Sequence, residues 1–283
     1  MIAVIPAAGL GTRLLPLTKS VPKELLPVGN RPAIQRVLAE VYRAGITQVV
    51  IVTSSRKPAL RDFLTLTSTS DARRNRNAVE ELERLLHSLQ ITFVEQPEPH
   101  GLRDAVWQCK PIVGSEAFAL VLPDNVSATA ELLATILEKC VAAGHSCVAL
   151  YSEAHSRRHL KASSFVIVVD PIKNGVSRII KVMSGPQAGI PCSWRIGIGR
   201  SIFAPGSIEL FAPGERSANV VDNSEVFVLN ALAKQQTLLG VESREDIWHI
   251  GSIEAYAAAF EYFARNDVRD HGTSHPANDS FRL

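Results

Sequence analysis

Up to about residue 151 the chain alternates short β-branched runs with longer amphipathic segments. A sheet of mainly parallel strands flanked by helices satisfies that order, whereas a β-sandwich or a helical bundle does not. Residues 2–5, 48–52, 91–94, 117–122 and 146–151 read as strands. Between them residues 33–43 read as a helix, because Ile34, Val37, Leu38 and Val41 fall on one face. Residues 58–64, 102–110 and 130–143 follow the same period, the last with Leu133, Ile136, Leu137 and Cys140 aligned. Residues 73–88 carry dense charge and then Leu82, Leu85, Leu86 and Leu89, the pattern of a surface helical insertion. After residue 151 the spacing changes. Residues 164–169, 176–182 and 193–203 read as strands separated by Pro and Gly turns, an antiparallel extension laid across the sheet and able to wall off a pocket. Helices are expected near 223–234 and 253–264, with a polar, frayed end from about residue 266.

Global properties close off several alternatives. A hydrophobic fraction of 46% with 20% charged residues, over 283 positions, sets aside disordered and fibrous classes and allows a sizeable core. The net charge of +2 is far from the basic excess of a nucleic-acid binder, so no nucleic-acid partner is expected. The arginines at 73–84 are interleaved with Glu80, Glu81 and Glu83, which reads as a solvated helix face. Cys109, Cys140, Cys147 and Cys192 form no Cys-x-x-Cys pair and sit among apolar residues, so four reduced core thiols are expected. The first residues are apolar for only a strand's length and lack a basic leader, unlike a signal peptide. No apolar run approaches the roughly 18–20 residues needed to cross a bilayer, so no membrane partner and a cytoplasmic location are expected.

The segment that carries chemistry follows the first strand: Pro6-Ala7-Ala8-Gly9-Leu10-Gly11-Thr12-Arg13, then Leu15-Pro16-Leu17-Thr18-Lys19, then Pro22-Lys23-Glu24-Leu25-Leu26-Pro27. Glycines without a Cβ let backbone N–H groups approach a polyphosphate, and Arg13, Lys19 and Lys23 supply charge that amides cannot. A Walker loop needs Gly-Lys-Ser/Thr, but Thr12-Arg13 follows Gly11; a dinucleotide fingerprint needs a small residue where Leu14 stands.

Ala-Gly-Leu-Gly-Thr-Arg, Leu-Pro-x-Thr-Lys and Pro-Lys-Glu-x-Leu-Pro together resemble the signature of bacterial UTP–glucose-1-phosphate uridylyltransferases, and the resemblance extends to about Phe263. It implies a Rossmann-like mixed sheet whose antiparallel β extension forms the sugar side of the cleft. A single domain over 1–265 is expected: a nucleotide-binding core at 1–152, the extension at 153–220, and C-terminal helices with a metal-site strand at 221–265. Residues 266–283 would be a disordered tail. It further implies UTP and a sugar 1-phosphate as partners, a homo-oligomer, and Mg²⁺. Arg13 and Lys23 would be catalytic, gripping the leaving phosphates and the α-phosphate region. Ala7, Ala8, Gly9, Gly11 and Thr12 would bind the nucleotide, with Gln96 and Gly101 reading the base. Asp124, in Leu122-Pro123-Asp124, would hold the metal. Gly199, ahead of Arg200, and Glu225 would lie on the sugar-phosphate side.

Two departures stand out. Where the family has a Glu-Lys-Pro box, this chain runs Ile179-Ile180-Lys181-Val182-Met183-Ser184-Gly185-Pro186, and Lys181 would be the candidate substitute, from a shifted register. A slip of one residue turns a strand side chain to the opposite face. His249 stands where the second metal carboxylate would be, an imidazole suited to Zn²⁺ or Co²⁺ more than Mg²⁺. Asp246, three residues away on an extended strand, is a poor replacement. The family's Thr-Asp becomes Ser224-Glu225. Two readings stay open: transfer of UMP to glucose 1-phosphate or a similar hexose 1-phosphate, or a catalytically impaired homologue that binds sugar nucleotide as partner or regulator of an active enzyme.

Overall fold

The computed structural model describes residues 1–65, 76–152, 165–184, 193–213 and 225–272. In chain order the elements begin with β1 (Ile2–Pro6), β2 (Pro27–Val28), β3 (Arg31–Pro32), α1 (Ala33–Arg43), β4 (Gln48–Thr53), α2 (Pro58–Thr65), α3 (Arg76–His87) and β5 (Gln90–Glu95). Then come α4 (Leu102–Trp107), α5 (Lys110–Val113), β6 (Phe118–Val121), β7 (Asn125–Ser127), α6 (Leu132–Ala143), β8 (Ser146–Tyr151), β9 (Phe165–Lys173), β10 (Val176–Ser184), β11 (Trp194–Arg195) and β12 (Gly197–Phe203). The last described elements are α7 (Glu225–Lys234), β13 (Leu238–Ser243), β14 (Ile247–His249) and α8 (Ile253–Gly272).

Among the described residues, ten strands form one sheet in the order β11-β9-β10-β13-β8-β12-β6-β1-β4-β5. β5, β4, β1 and β6 run parallel, as the β-α alternation requires. β12 lies antiparallel between β6 and β8, and β13 pairs parallel with β8. The antiparallel strands β9, β10 and β11 prolong this same sheet instead of crossing it as a second layer. β13 has no counterpart in the sequence reading, and Gly240 is the reason. A glycine inside a short apolar run weakens a strand signal, yet here a Cβ at Gly240 would overlap the Leu150 side chain on β8.

Side chains of β1 alternate between two apolar layers, as a strand buried on both faces must. Ala3 and Ile5 join the layer under α1, α2 and α6, while Ile2 and Val4 join the layer that includes Val106, Phe118, Phe203 and Phe211. Ile34, Val37, Leu38 and Val41 of α1 are fully buried, each worth about 1.5–3 kcal/mol of transfer from water. A third, smaller cluster of Val28, Val126, Ile250, Ala259 and Phe263 fastens α8 to the β7–β14 ribbon. α8 runs past its expected end at residue 264. Asp267 in the added turns accepts from Arg36 and from the Asn30 backbone N–H, contacts over 200 residues apart in sequence that no local pattern records.

One expectation about the cysteines is corrected. Cys140 on α6 and Cys147 on β8 are joined in a disulfide, with Cα atoms 6.0 Å apart. The left-handed turn at Gly144 folds the end of α6 back onto the start of β8, bringing together two sulfurs too far apart in sequence to read as a motif. Cys109 is a free, buried thiol as expected, and burial pushes it up to about 12; Cys192 lies outside the described residues. Among the described residues, no helix is long and apolar enough to cross a membrane.

Candidate active site

The loop from Ala7 to Leu26 lies at the carboxyl end of β1, where ligands of open α/β sheets sit. Three short 3-10 turns, Thr12–Leu14, Leu17–Lys19 and Lys23–Leu25, carry it back over the sheet edge. Gly11 has φ +67, and a Cβ there would stand 3.0 Å from the Thr18 methyl, so a side chain would be strained in a crowded place. The Thr18 hydroxyl donates to the Gly11 carbonyl at 2.8 Å and fixes that corner. Ala7 donates its N–H to the Val52 carbonyl at 2.7 Å, so this predicted ligand amide is already used by the sheet. Among the described residues the N–H groups of Gly9, Leu10 and Gly11 have no hydrogen-bond partner, which leaves them for a ligand. Ala8 is buried against β4, and Thr12 and Arg13 are exposed.

Both ends of the loop meet at Lys57, a residue sequence reasoning missed. Its Nζ donates to the Ala7 carbonyl at 2.7 Å and to the Glu24 carboxylate at 2.8 Å. In the sequence it follows Arg56 in a loop, where a lysine reads as solvated.

Lys23 reaches across to Asp124, Nζ to Oδ2 2.7 Å. Burial alone would raise the Asp124 carboxyl, but the Lys23 ammonium and His249 hold it down at about 2. Burial likewise works against the Lys23 ammonium, which Asp124 and Glu24 nevertheless raise above its ordinary value. His249 Nδ1 lies 3.1 Å from the Asn125 side-chain oxygen, and a Cβ at Gly251 would collide with its ring while standing 3.1 Å from an Arg13 nitrogen. Burial lowers the imidazole's pKa; Arg13 and Lys23 push the same way and Asp124 opposes them. Arg13 and Lys23 of the loop, Asp124 and His249, drawn from three parts of the sequence, thus form one cluster. Asp246 instead bears on the Tyr151 hydroxyl.

The turn that presents Asp124 is held from behind by Arg200. Its guanidinium pairs with both Glu40 oxygens at 2.9 and 2.7 Å, out of water, and donates to the carbonyls of the half-buried Leu122 and Asn125. Gly199, at φ +71, is required there because a Cβ would strike the Asn125 amide. The signal available in the sequence was Glu40 itself, a charge three positions from Val37 on the buried face of α1.

Gln96 is buried at the end of β5, beside a recess lined by Ala8, Leu10, Ser54 and Pro97. Its amide nitrogen donates to the Gly101 carbonyl at 3.0 Å and to Asp104 Oδ2 at 2.6 Å. Gly101 has φ +94, a conformation that favours glycine.

Lys181 and Glu225 lie apart from this cluster's hydrogen bonds. A bulge between Ile179 and Lys181 sets Lys181 opposite Val168 and leaves it exposed, on the face that Met183 shares. Glu225 opens α7, buried, with Oε2 unpartnered among the described residues. Burial pushes its carboxyl up to about 7 from an ordinary 4.5. The folded protein therefore binds this proton more tightly than the unfolded chain does. The stability Glu225 permits is full below the ordinary value and is lost as pH rises toward the folded value. At pH 8 the loss is about 3 kcal/mol. Glu225→Gln is expected to be the more stable protein at pH 8 by up to that amount, with the advantage gone near pH 4.5. Urea unfolding at the two pH values checks it; equal stabilities at pH 8 would refute it.

Among the described residues no group of three or more His, Cys, Asp or Glu side chains gathers to enclose a metal. Asp124 offers one carboxylate, which suits Mg²⁺, an ion held by one or two carboxylates together with substrate phosphates.

A carboxyl-edge loop with amides that lack partners among the described residues, and with an ion-paired lysine and aspartate beside it, suits a protein that handles nucleoside phosphates. The chain belongs to the nucleotidyl transferase family, whose model matches residues 2–266. It is 33% identical over 207 residues to a putative UTP–glucose-1-phosphate uridylyltransferase of Bacillus subtilis, covering 72% of this chain and 75% of that one. It is 41% identical over 129 residues, 44% of either chain, to the UTP–glucose-1-phosphate uridylyltransferase of Mycoplasma pneumoniae. The structure of an apo UDP-glucose pyrophosphorylase superposes with a TM-score of 0.83 at 26% identity, covering 94% of this chain and 98% of that one.

Proposed function

We propose that the chain transfers UMP from UTP to a hexose 1-phosphate, with glucose 1-phosphate the first candidate, releasing pyrophosphate. A phosphate oxygen of the sugar 1-phosphate forms the new bond to the α-phosphorus, and the bond from that phosphorus to the bridging oxygen breaks as pyrophosphate leaves. The observation that carries this reading is Lys23 paired with Asp124 beside unpartnered loop amides. Such a displacement asks little covalent work of a protein; it needs two anions held in line and their charge stabilised. The amides of Gly9, Leu10 and Gly11 and the side chain of Arg13 would grip the β- and γ-phosphates, and Lys23 the α-phosphate. Gln96 and Gly101 would read the base, while Glu225, with an oxygen unpartnered among the described residues, and Gly199 and Lys181 would serve the sugar-phosphate side. Asp124 would hold Mg²⁺, with His249 beside it; when bound, the ion neutralises phosphate charge. We place the protein in the cytoplasm, where UTP is made, as a homo-oligomer. A pyrophosphate-release assay with UTP, dTTP, CTP and GTP against several sugar 1-phosphates tests the reading, and absence of turnover with every pair would refute it.

A second reading, a sugar-nucleotide-binding homologue with impaired catalysis, is favoured by His249, whose Nδ1 faces Asn125 where an anionic oxygen is needed. Saturable UTP binding without turnover would support it. The two meet in one variant. His249→Asp adds a carboxylate oxygen beside Asp124. It should lower the half-saturating Mg²⁺ concentration by at least the roughly 10–100-fold that even outer-shell changes move metal affinity. Mn²⁺ binding followed by electron paramagnetic resonance, alongside the activity titration, checks this, and an unchanged metal affinity would count against the missing carboxylate as the limiting feature.

A further inference from the structure

Gln96 is a two-faced reader. Its amide nitrogen can only donate and its amide oxygen can only accept, and the two ends are alike in shape. Which end faces a ligand depends on what holds the other. Here both atoms against one end are acceptors, the Gly101 carbonyl oxygen at 3.0 Å and Asp104 Oδ2 at 2.6 Å, so the NH₂ group must point to them. Turning the amide over would set three oxygens against one another. Asp104 is itself held: Gln108, one helical turn on, donates to its Oδ1 at 3.1 Å. Gln108 donates to Asp104, and so does Gln96. The Gln96 oxygen has no partner among the described residues, and the side chain borders the recess beside Ala8 and Leu10.

We infer that Asp104 is a specificity-determining positioning residue: by taking the Gln96 NH₂ group, it fixes the Gln96 oxygen as the atom offered to the base. An acceptor there pairs with the ring N–H of an imide base such as uracil or thymine. Cytosine presents a bare ring nitrogen at the same position, so two lone pairs would face each other. Rejection of the wrong base arises because a buried acceptor is left against another acceptor. This inference rests on the nucleotide-binding reading above.

The test is calorimetric binding of UTP and CTP, with Mg²⁺ and no sugar phosphate, to the whole protein and two variants. Asp104→Asn can present either an oxygen or an NH₂ group to Gln96, which frees Gln96 to turn over. The UTP-to-CTP affinity ratio should fall by about 10- to 100-fold, the range a well-placed hydrogen bond to a base edge gives, with much of the change being tighter CTP binding. Asp104→Leu leaves only the Gly101 carbonyl to orient the amide, and the ratio should again fall, this time through weaker UTP binding. A role confined to supporting α4 would weaken both nucleotides alike and leave the ratio untouched. Wild-type ratios in both folded variants would overturn the inference, as would a wild-type protein that binds UTP and CTP equally. A wild-type protein that binds no nucleotide would instead remove the nucleotide-binding reading.

Discussion

Lys23→Ala is expected to lower kcat by about 10²–10³, the roughly 2.7–4 kcal/mol lost when one preorganised charge partner is taken from a transition state. In the resting protein the Lys23 ammonium lies 2.7 Å from Asp124. At the proposed α-phosphate it would meet negative charge that grows as the new bond forms. Steady-state kinetics with a sugar 1-phosphate measures the loss, and near-normal turnover would refute the role. The same substitution has a second readout. Without Lys23 the Asp124 carboxyl loses the largest of the charges that hold it at about 2, leaving His249. A carboxyl depressed in the folded state contributes stability that is present above its ordinary value of 3.8 and disappears as pH falls through the folded value. That contribution should be missing from the variant, so wild type and variant should differ more in urea unfolding at pH 6 than at pH 2. Arginine is a poor substitute here, because a planar fork does not reproduce a compact ammonium in a space this closed.

The phosphate loop was legible because everything that builds it is local. Its glycines, threonine and cations lie within one stretch after one strand, and their types state the chemistry. The parallel half of the sheet was legible for a similar reason, since alternating β-branched runs and amphipathic helices have few ways to pack. What was hidden is long-range. Lys23 and Asp124 are 101 residues apart, and Arg200 and Glu40 are 160 apart. Neither pairing has a periodicity to find, although a glutamate on the apolar face of α1 announces that some buried cation must meet it.

The antiparallel half shows a different limit. Strand patterns name strands but not their neighbours, so β9 and β10 were recognisable while their place at one end of a ten-stranded sheet was not. β12 entering between β6 and β8 is what puts Gly199 and Arg200 behind the Asp124 turn. The position of the metal carboxylate therefore depends on a crossing that no single segment encodes. The disulfide between Cys140 and Cys147 belongs with these: two apolar-flanked cysteines read as core thiols until a helix and the following strand fold face to face.

Lys57→Met is the second large effect expected, and it separates holding the loop from holding the fold. The variant keeps the aliphatic stem and removes a buried ammonium that serves the Ala7 carbonyl and the Glu24 carboxylate at once. Glu24 is fully buried, and its other oxygen already lacks a partner among the described residues. Removing one member of such a pair strands a charge out of water and should cost about 3–5 kcal/mol of stability, seen in urea unfolding. Replacing both charges, in Lys57→Met with Glu24→Leu, should return most of that loss, since apolar pairs of similar volume often match a buried ion pair in stability. Nucleotide binding should not return with it. Ala7 begins the loop and Glu24 lies next to Lys23 near its end, so the ammonium ties both ends together. A doubly substituted protein that is stable yet binds UTP weakly by calorimetry is the expected result. Recovery of wild-type UTP affinity along with stability would mean that Lys57 acts on the loop only through the fold.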